Sequence, residues 1–180
     1  LGEYNVFEDQ GKFYYNKVPK DYQLISVHTI YDVKHDGRHM ARVVANGHLT
    51  NVPLESVYSG VVSLQGLQAC IFLAKLNGMT PWATDISSAY LEAYTTEKVY
   101  IKAEPEFGEL EGHLLIIIKA LYGLCLSRKM FNQLLAECLE GFGFKQSLSD
   151  ESIFMRPSSC GTVYEYVATY VDDLCICIKK

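Results

Sequence analysis

Three carboxylates are the side chains best suited to chemistry in this sequence: the adjacent pair Asp172 and Asp173, and Asp85. Tyr164, Tyr166, Ala168 and Tyr170 alternate with Val163, Glu165, Val167, Thr169 and Val171, which is the period of a strand, and a second apolar strand starts at Leu174. The aspartate pair is therefore expected at the tip of a tight hairpin. Aspartate is common in turns, so a structural role accounts for either residue taken alone. Yet Asp-Asp lacks the glycine that a two-residue hairpin turn favours, and it sets two like charges side by side. A hairpin that tolerates both penalties suits a bound cation. Asp85 lies at the end of a short apolar strand, before Ile86-Ser87-Ser88, where it could equally cap the next helix. Three carboxylates from two strand ends could hold two Mg²⁺ ions, which take oxygen ligands and keep positions open for substrate phosphates. That is the equipment of in-line phosphoryl transfer.

The elements that must position these groups are legible in outline. The first sixty residues read as short strands and turns, with aromatic residues at Phe13, Tyr14 and Tyr15 and β-formers from Leu24 to Tyr31. Asp36-Gly37-Arg38 looks like a turn, after which Met40 to Ala45 resumes as a strand. A helix is expected from the N-cap Ser63 to the stop at Asn77-Gly78, burying Leu64, Leu67, Ile71 and Ala74. Strands are expected at Trp82–Ile86, at Val99–Ile101 and, after an acidic loop with Pro105 and Gly108, at Leu114–Ile118. A second helix starts near Ser127, carries Met130, Phe131, Leu134, Leu135, Cys138 and Leu139 on its apolar stripe, and ends at Gly141 and Gly143. Strands and helices in this irregular order predict an α+β fold, with a mainly antiparallel sheet and helices packed on one face.

Composition sets the outer limits. The chain has 180 residues, 49% hydrophobic and 21% charged, which are globular values rather than those of a disordered chain. The longest aliphatic run is Leu114 to Ile118, far short of a transmembrane helix. Glu3, Glu8 and Asp9 lie where a signal peptide needs basic and then apolar residues, so secretion has no support. Leu1 in place of an initiator methionine suggests an excised piece or an incomplete gene model. A net charge of −5, from 16 basic and 21 acidic residues, argues mildly against a protein that simply coats nucleic acid. None of the six cysteines forms a C-x-x-C pair, so they read as small core hydrophobes in a reducing compartment. His28, His35, His39, His48 and His113 are scattered and read as structural or surface residues.

The motifs, taken together, resemble a known family. Tyr170-Val171-Asp172-Asp173 resembles the Tyr-x-Asp-Asp signature of reverse transcriptases, and Asp85-Ile86-Ser87-Ser88-Ala89-Tyr90-Leu91 resembles their first catalytic motif as found in copia-type LTR retrotransposons. Further segments of that group are matched by Ala41 to His48, Ser56 to Val62, Lys98 to Ile101 with Pro105 to Gly108, and Asp150 to Phe154. Lys119-Ala120-Leu121-Tyr122-Gly123-Leu124 is the most specific of them. The segments occur in the family's order and cover at least Asp32 to Lys180.

The resemblance implies a right-hand polymerase, with fingers at 1–60 and 93–125 and palm at 61–92 and 126–180, truncated before the thumb and RNase H segments of a Pol polyprotein. It implies an RNA-directed DNA polymerase that copies retrotransposon RNA, with two Mg²⁺ ions (Mn²⁺ as a substitute), a template with primer, and deoxynucleoside triphosphates. Asp85 and Asp172 would ligate both ions, Asp173 would contribute less directly, and the Ile86 carbonyl would complete one shell. Tyr90 would act as the ring that collides with a ribose 2′-hydroxyl. Arg42 would grip the triphosphate in a guanidinium fork, Leu126 would fall in the nucleotide-binding segment, and Tyr170 would pack near the primer terminus. Action in cytoplasmic virus-like particles, with a nuclear phase, follows from the family only.

The segment after Leu124 departs from the family pattern. Cys125 stands where a basic residue is usual, Leu126 where a polar one is, and Arg128 where a small residue or proline is. These departures suit a decayed or host-adopted copy that at most binds nucleic acid. A different two-metal enzyme, such as a nuclease, is a third class, but the aromatic residue after Asp85 and the Tyr-x-Asp-Asp hairpin favour a polymerase.

Overall fold

In the computed structural model of the chain, residues 5–12, 18–47 and 59–179 are described. In chain order the first elements are β1 (Phe7–Lys12), β2 (Gln23–Leu24), β3 (Val27–Val33), β4 (His39–Ala45), α1 (Leu64–Leu76), β5 (Trp82–Asp85) and α2 (Ala89–Glu92). There follow β6 (Val99–Lys102), a 3₁₀ helix (Pro105–Leu110), β7 (His113–Ile117), α3 (Ser127–Gly141), β8 (Lys145–Gln146), β9 (Ile153–Pro157), β10 (Tyr164–Tyr170) and β11 (Asp173–Cys177). Among the described residues no helix is long and apolar enough to cross a membrane. The chain divides into two units, Leu1–Val57 with Tyr90–Phe131, and Tyr58–Ala89 with Asn132–Lys180.

In the first unit, β7 lies at the centre of a four-stranded sheet in the order β1-β7-β6-β2. Its residues Leu114 to Ile117 are all buried, which is why this run reads as the most apolar strand. The β2–β6 pair is parallel and the other two pairs are antiparallel. Strands β3 and β4 form a separate hairpin in continuous register from Val27↔Ala45 to Val33↔His39. Gly37, at a φ of 82°, makes its turn, as Asp36-Gly37-Arg38 predicts. Val6, Ile25, Ala45, Ile101, Leu115 and Leu121 build the core of this unit. His113 has a structural role, with Nδ1 2.9 Å from the Asp9 carboxylate on the neighbouring strand. Phe13–Tyr15, His48 and Ser56–Tyr58 lie outside the described residues.

The second unit is built on a five-stranded sheet, β5-β11-β10-β9-β8, in which every neighbouring pair is antiparallel. The α1 boundaries agree with local chemistry: the Ser63 side chain accepts the Gly66 amide, and Gly78 takes a φ of 68° just past the C-cap Asn77. The buried face is rotated from the one expected. Cys70 and Ala74 are buried while Leu64 is 66% and Ile71 38% exposed, because the face that meets the sheet is centred on Leu67, Cys70, Leu73 and Ala74.

The helices do not share one face of this sheet, contrary to expectation. Tyr166 and Ala168 pack with Cys70 and Ala74 of α1, whereas the intervening Val167 packs with Phe154, Ala136 and Leu139, the last two from α3. Adjacent strand residues point to opposite sides, so α1 and the C-terminal part of α3 cover opposite faces. The cause lies in β10 itself, where all five residues from Glu165 to Thr169 are buried. Glu165 is tolerated there because Arg156 Nε (2.8 Å) and the Lys179 amide (3.0 Å) donate to its carboxylate. Cys138 and Cys160 also depart from the core role expected of the cysteines, since both are exposed.

Candidate active site

Strand register in the second unit sets two of the three carboxylates side by side, with the third in the adjoining turn. Asp85, the last residue of β5, is paired directly with Asp173, the first residue of β11. Residues paired directly in an antiparallel sheet point to the same face, here the α1 side. The hairpin turn is shifted by one residue toward the N-terminus from the one expected. Tyr170 pairs with Asp173, so the two turn residues are Val171 and Asp172, and Asp173 belongs to the strand. Val171 takes a φ of 57°, which supplies the positive φ that such a turn needs from a residue poorly suited to give it. The Ile86 amide donates to the Asp172 carbonyl at 2.8 Å, fixing the turn against the end of β5. Ser88, just beyond, also has a positive φ, 54°. Two strained non-glycine residues thus flank the carboxylates, at a cost of about 1–3 kcal/mol each.

Among the described residues, no donor or cation pairs with the side chain of Asp85, Asp172 or Asp173. Beside them opens a cleft of about 360 Å³ lined by Val62, Leu67, Ala168, Tyr170 and Cys175 together with Asp85 and Asp173. Tyr170 is 55% exposed at the end of β10.

The first unit holds a second constellation. The guanidinium of Arg42, on β4, lies 5.9 Å from the centre of the Tyr122 ring. Tyr122 in turn packs 4.7 Å from the ring of Tyr90, which also meets Phe131 edge-on at 6.1 Å. The backbone holds this column together. The Ala45 amide donates to the Tyr122 carbonyl at 2.7 Å, and a parallel bridge joins Val44 to Tyr122. Only glycine fits beside it: a Cβ on Gly123 would overlap the Ala45 carbonyl, and one on Gly47 would overlap the Gly123 carbonyl.

The family described as "Reverse transcriptase (RNA-dependent DNA polymerase)" matches residues 12–180. The chain belongs to the reverse transcriptase family, in its Ty1/copia branch. It is 30% identical over 178 residues to the Transposon Ty1-MR1 Gag-Pol polyprotein of Saccharomyces cerevisiae, a match that takes in 96% of the chain. It is 34% identical over 118 residues, 64% of the chain, to the Truncated transposon Ty1-A Gag-Pol polyprotein and to the Transposon Ty1-NL2 Gag-Pol polyprotein of the same yeast. The chain spans 10% of the length of the first two relatives and 7% of the third.

This reverse transcriptase domain presents hard oxygen donors at the carboxylate end of its five-stranded sheet, the donor chemistry that suits Mg²⁺. The side chains are splayed, and among the described residues no three acidic, His or Cys side chains gather closely enough to hold an ion. Of the other residues expected at the site, Arg42 is exposed and Tyr90 half-buried. Leu126 differs from the rest. It is buried, at 6% exposed, and its amide donates to Glu97 at 2.7 Å. Burial pushes the Glu97 carboxyl above the ordinary glutamate range, against the opposing pull of that hydrogen bond. Cys125 Sγ lies 3.5 Å from the Gly47 carbonyl.

Sequence reasoning passed over Tyr122, Gly47, Gly123 and Glu97 as individual residues. The two glycines stand in segments that carry the family resemblance, Ala41–His48 and Lys119–Leu124, and their presence in both was the available signal for a close backbone crossing. Glu97 had no such signal, because its partner is 29 residues away.

Proposed function

We propose that the chain is the metal- and nucleotide-binding part of an RNA-directed DNA polymerase that copies retrotransposon RNA, with the first unit as fingers and the second as palm. The observation that carries this reading is the pairing of Asp85 with Asp173 beside the Asp172 turn, three carboxylates on two strand ends with no cationic side chain paired to them among the described residues. Asp85 and Asp172 would hold two divalent ions, with Asp173 and the Ile86 carbonyl in support. The ions, when bound, polarise the phosphate being attacked and stabilise the oxygens that enter and leave. Arg42, exposed and without an ion pair among the described residues, grips the triphosphate as a guanidinium fork. Tyr90 excludes the ribose 2′-hydroxyl, and Tyr170 packs near the primer terminus. A template-primer, deoxynucleoside triphosphates and the remainder of a Gag-Pol polyprotein are the partners, in cytoplasmic particles.

Primer extension on an RNA template in Mg²⁺ tests the reading, with Asp172→Asn as the control. Incorporation by the wild type and none by the variant is expected. Equal incorporation by both would overturn it.

One observation favours a second reading, a copy that binds nucleic acid without copying it. Among the described residues Arg128 Nε is buried without a hydrogen-bond partner, a cost of about 1–3 kcal/mol that an adapted active enzyme has reason to avoid. Template-primer binding without incorporation in the same assay identifies this case.

A further inference from the structure

We propose that Tyr122 is a positioning residue that sets sugar selectivity, by holding the Tyr90 ring and the Arg42 guanidinium in fixed relation. The inference rests on the roles given above to Tyr90 and Arg42. Tyr122 itself has been assigned none.

The geometry is that of a spacer between two working groups. One side of the Tyr122 ring faces Arg42 at 5.9 Å, within cation–π range. Tyr90 packs against it at 4.7 Å with the rings tilted by 50°. Tyr90 belongs to a helix of one turn, Ala89–Glu92, too short to orient a side chain by itself. Two rings packed against it, Tyr122 and Phe131, constrain its ring direction. Arg42 has a long flexible side chain, and among the described residues the Tyr122 ring is the charge-complementary surface beside it.

The backbone of Tyr122 is correspondingly rigid. Its carbonyl accepts from Ala45, three residues along the strand that carries Arg42. The Ala120 amide donates at 2.9 Å to the carbonyl of Ala93, directly after the helix that carries Tyr90. Gly123, at a φ of 90°, lets the chain pass against β4 where any other residue would collide with it. Tyr122 is thus anchored to both segments, and its ring contacts the group that each of them bears. A sugar gate works only if its ring cannot retreat from the 2′-hydroxyl, and Tyr122 occupies the path of retreat on one side.

The test measures binding rather than chemistry. The full chain is titrated with Mg·dATP and with Mg·ATP on an RNA template whose DNA primer ends in a dideoxynucleotide, so that no incorporation follows. Wild type is expected to prefer dATP. Tyr122→Leu is expected to lose about tenfold of that preference, the scale of one aromatic contact, while Tyr122→Phe retains it because the stack needs the ring and not the hydroxyl. If the leucine variant melts early, Tyr122→Met, which fills similar volume without a flat face, takes its place. A leucine or methionine variant with the wild-type preference overturns the inference, as does a phenylalanine variant that loses as much as leucine. A wild type that binds neither nucleotide, or both equally, overturns the nucleotide-site reading and this inference with it.

Discussion

The Asp150 carboxylate accepts both the backbone amide and the hydroxyl of Ser63, each at 3.0 Å and across 87 residues of sequence. Ser63 is the N-cap of α1, and its hydroxyl oxygen accepts the Gly66 amide at 3.0 Å. The carboxylate's other oxygen takes the Ser152 amide at 3.0 Å. One aspartate from a conspicuous sequence segment, Asp150 to Phe154, thereby completes a helix start and anchors the strand that follows it. A negative charge is also favourable at that end of the helix dipole.

Asp150→Ala should destabilise the protein by about 1–2 kcal/mol, the scale of a lost cap. Burial alone would raise the Asp150 carboxyl, but the Ser63 and Ser152 amides and the Ser63 hydroxyl outweigh it and hold the group below the ordinary aspartate range. Because the folded value is lowered, this stability is present above the ordinary aspartate value and is lost as pH falls through the lowered one. Thermal melts of wild type and variant should therefore converge in acid. A gap that does not change with pH would refute the assignment.

Two glycines with positive φ should respond very differently to alanine. Gly123 has a φ of 90° and a backbone neighbour in the way, whereas Gly37 has a φ of 82° and open space around it. Gly37→Ala should cost about 1–2 kcal/mol, the conformational term alone. Gly123→Ala should cost about 3 kcal/mol or more, since strain and overlap add. Urea denaturation compares the two, and similar losses would contradict the close crossing at Ala45.

Glu97 gives the opposite pH signature to Asp150. Its carboxyl is raised by desolvation, so its contribution is fully present below the ordinary glutamate value and is lost as pH rises through the raised one. Glu97→Gln keeps an acceptor for the Leu126 amide and removes the buried charge. The variant should exceed wild type in stability at about pH 8, and the gap should close toward about pH 4. Parallel stability profiles would show that the carboxylate is better solvated than its place suggests.

Cysteine reactivity offers a check on the second unit. Hydrogen bonds involving Ser158 and Thr162 pull the exposed Cys160 thiol down to about 7, while burial pushes Cys70 up to about 11 and Cys177 up to about 12. Iodoacetamide near neutral pH should label Cys160 well ahead of the other two, as read by peptide mass spectrometry. Faster labelling of Cys70 or Cys177 would mean that the α1–sheet core is open in solution.

Features set by neighbouring residues were readable from the sequence. The ends of α1 follow from Ser63, Asn77 and Gly78, since capping is local chemistry. The turn at Gly37 and the start of α3 at Ser127 are of the same kind. The side of α1 that would be buried was not readable, because both of its sides carry apolar residues: Leu64, Phe72 and Leu76 are each at least 66% exposed opposite the buried Cys70 and Ala74. The two-sided burial of β10 was hidden for a related reason. Glu165 and Thr169 look like a solvent face until Arg156, Lys179 and Ser152 are seen to satisfy them.

The sequence by itself determined the kind of chemistry available, the family, and the order of the elements, because residue type and short-range periodicity are local quantities. Only the tertiary structure decided that Asp85 faces Asp173 across two strands, that Val171 and not Asp173 shares the turn with Asp172, and that Tyr122 packs with both Arg42 and Tyr90. Those relationships depend on strand register and on backbones close enough to require glycine at 47 and 123. Register is set by packing between segments far apart in the chain, so no short window of sequence contains it.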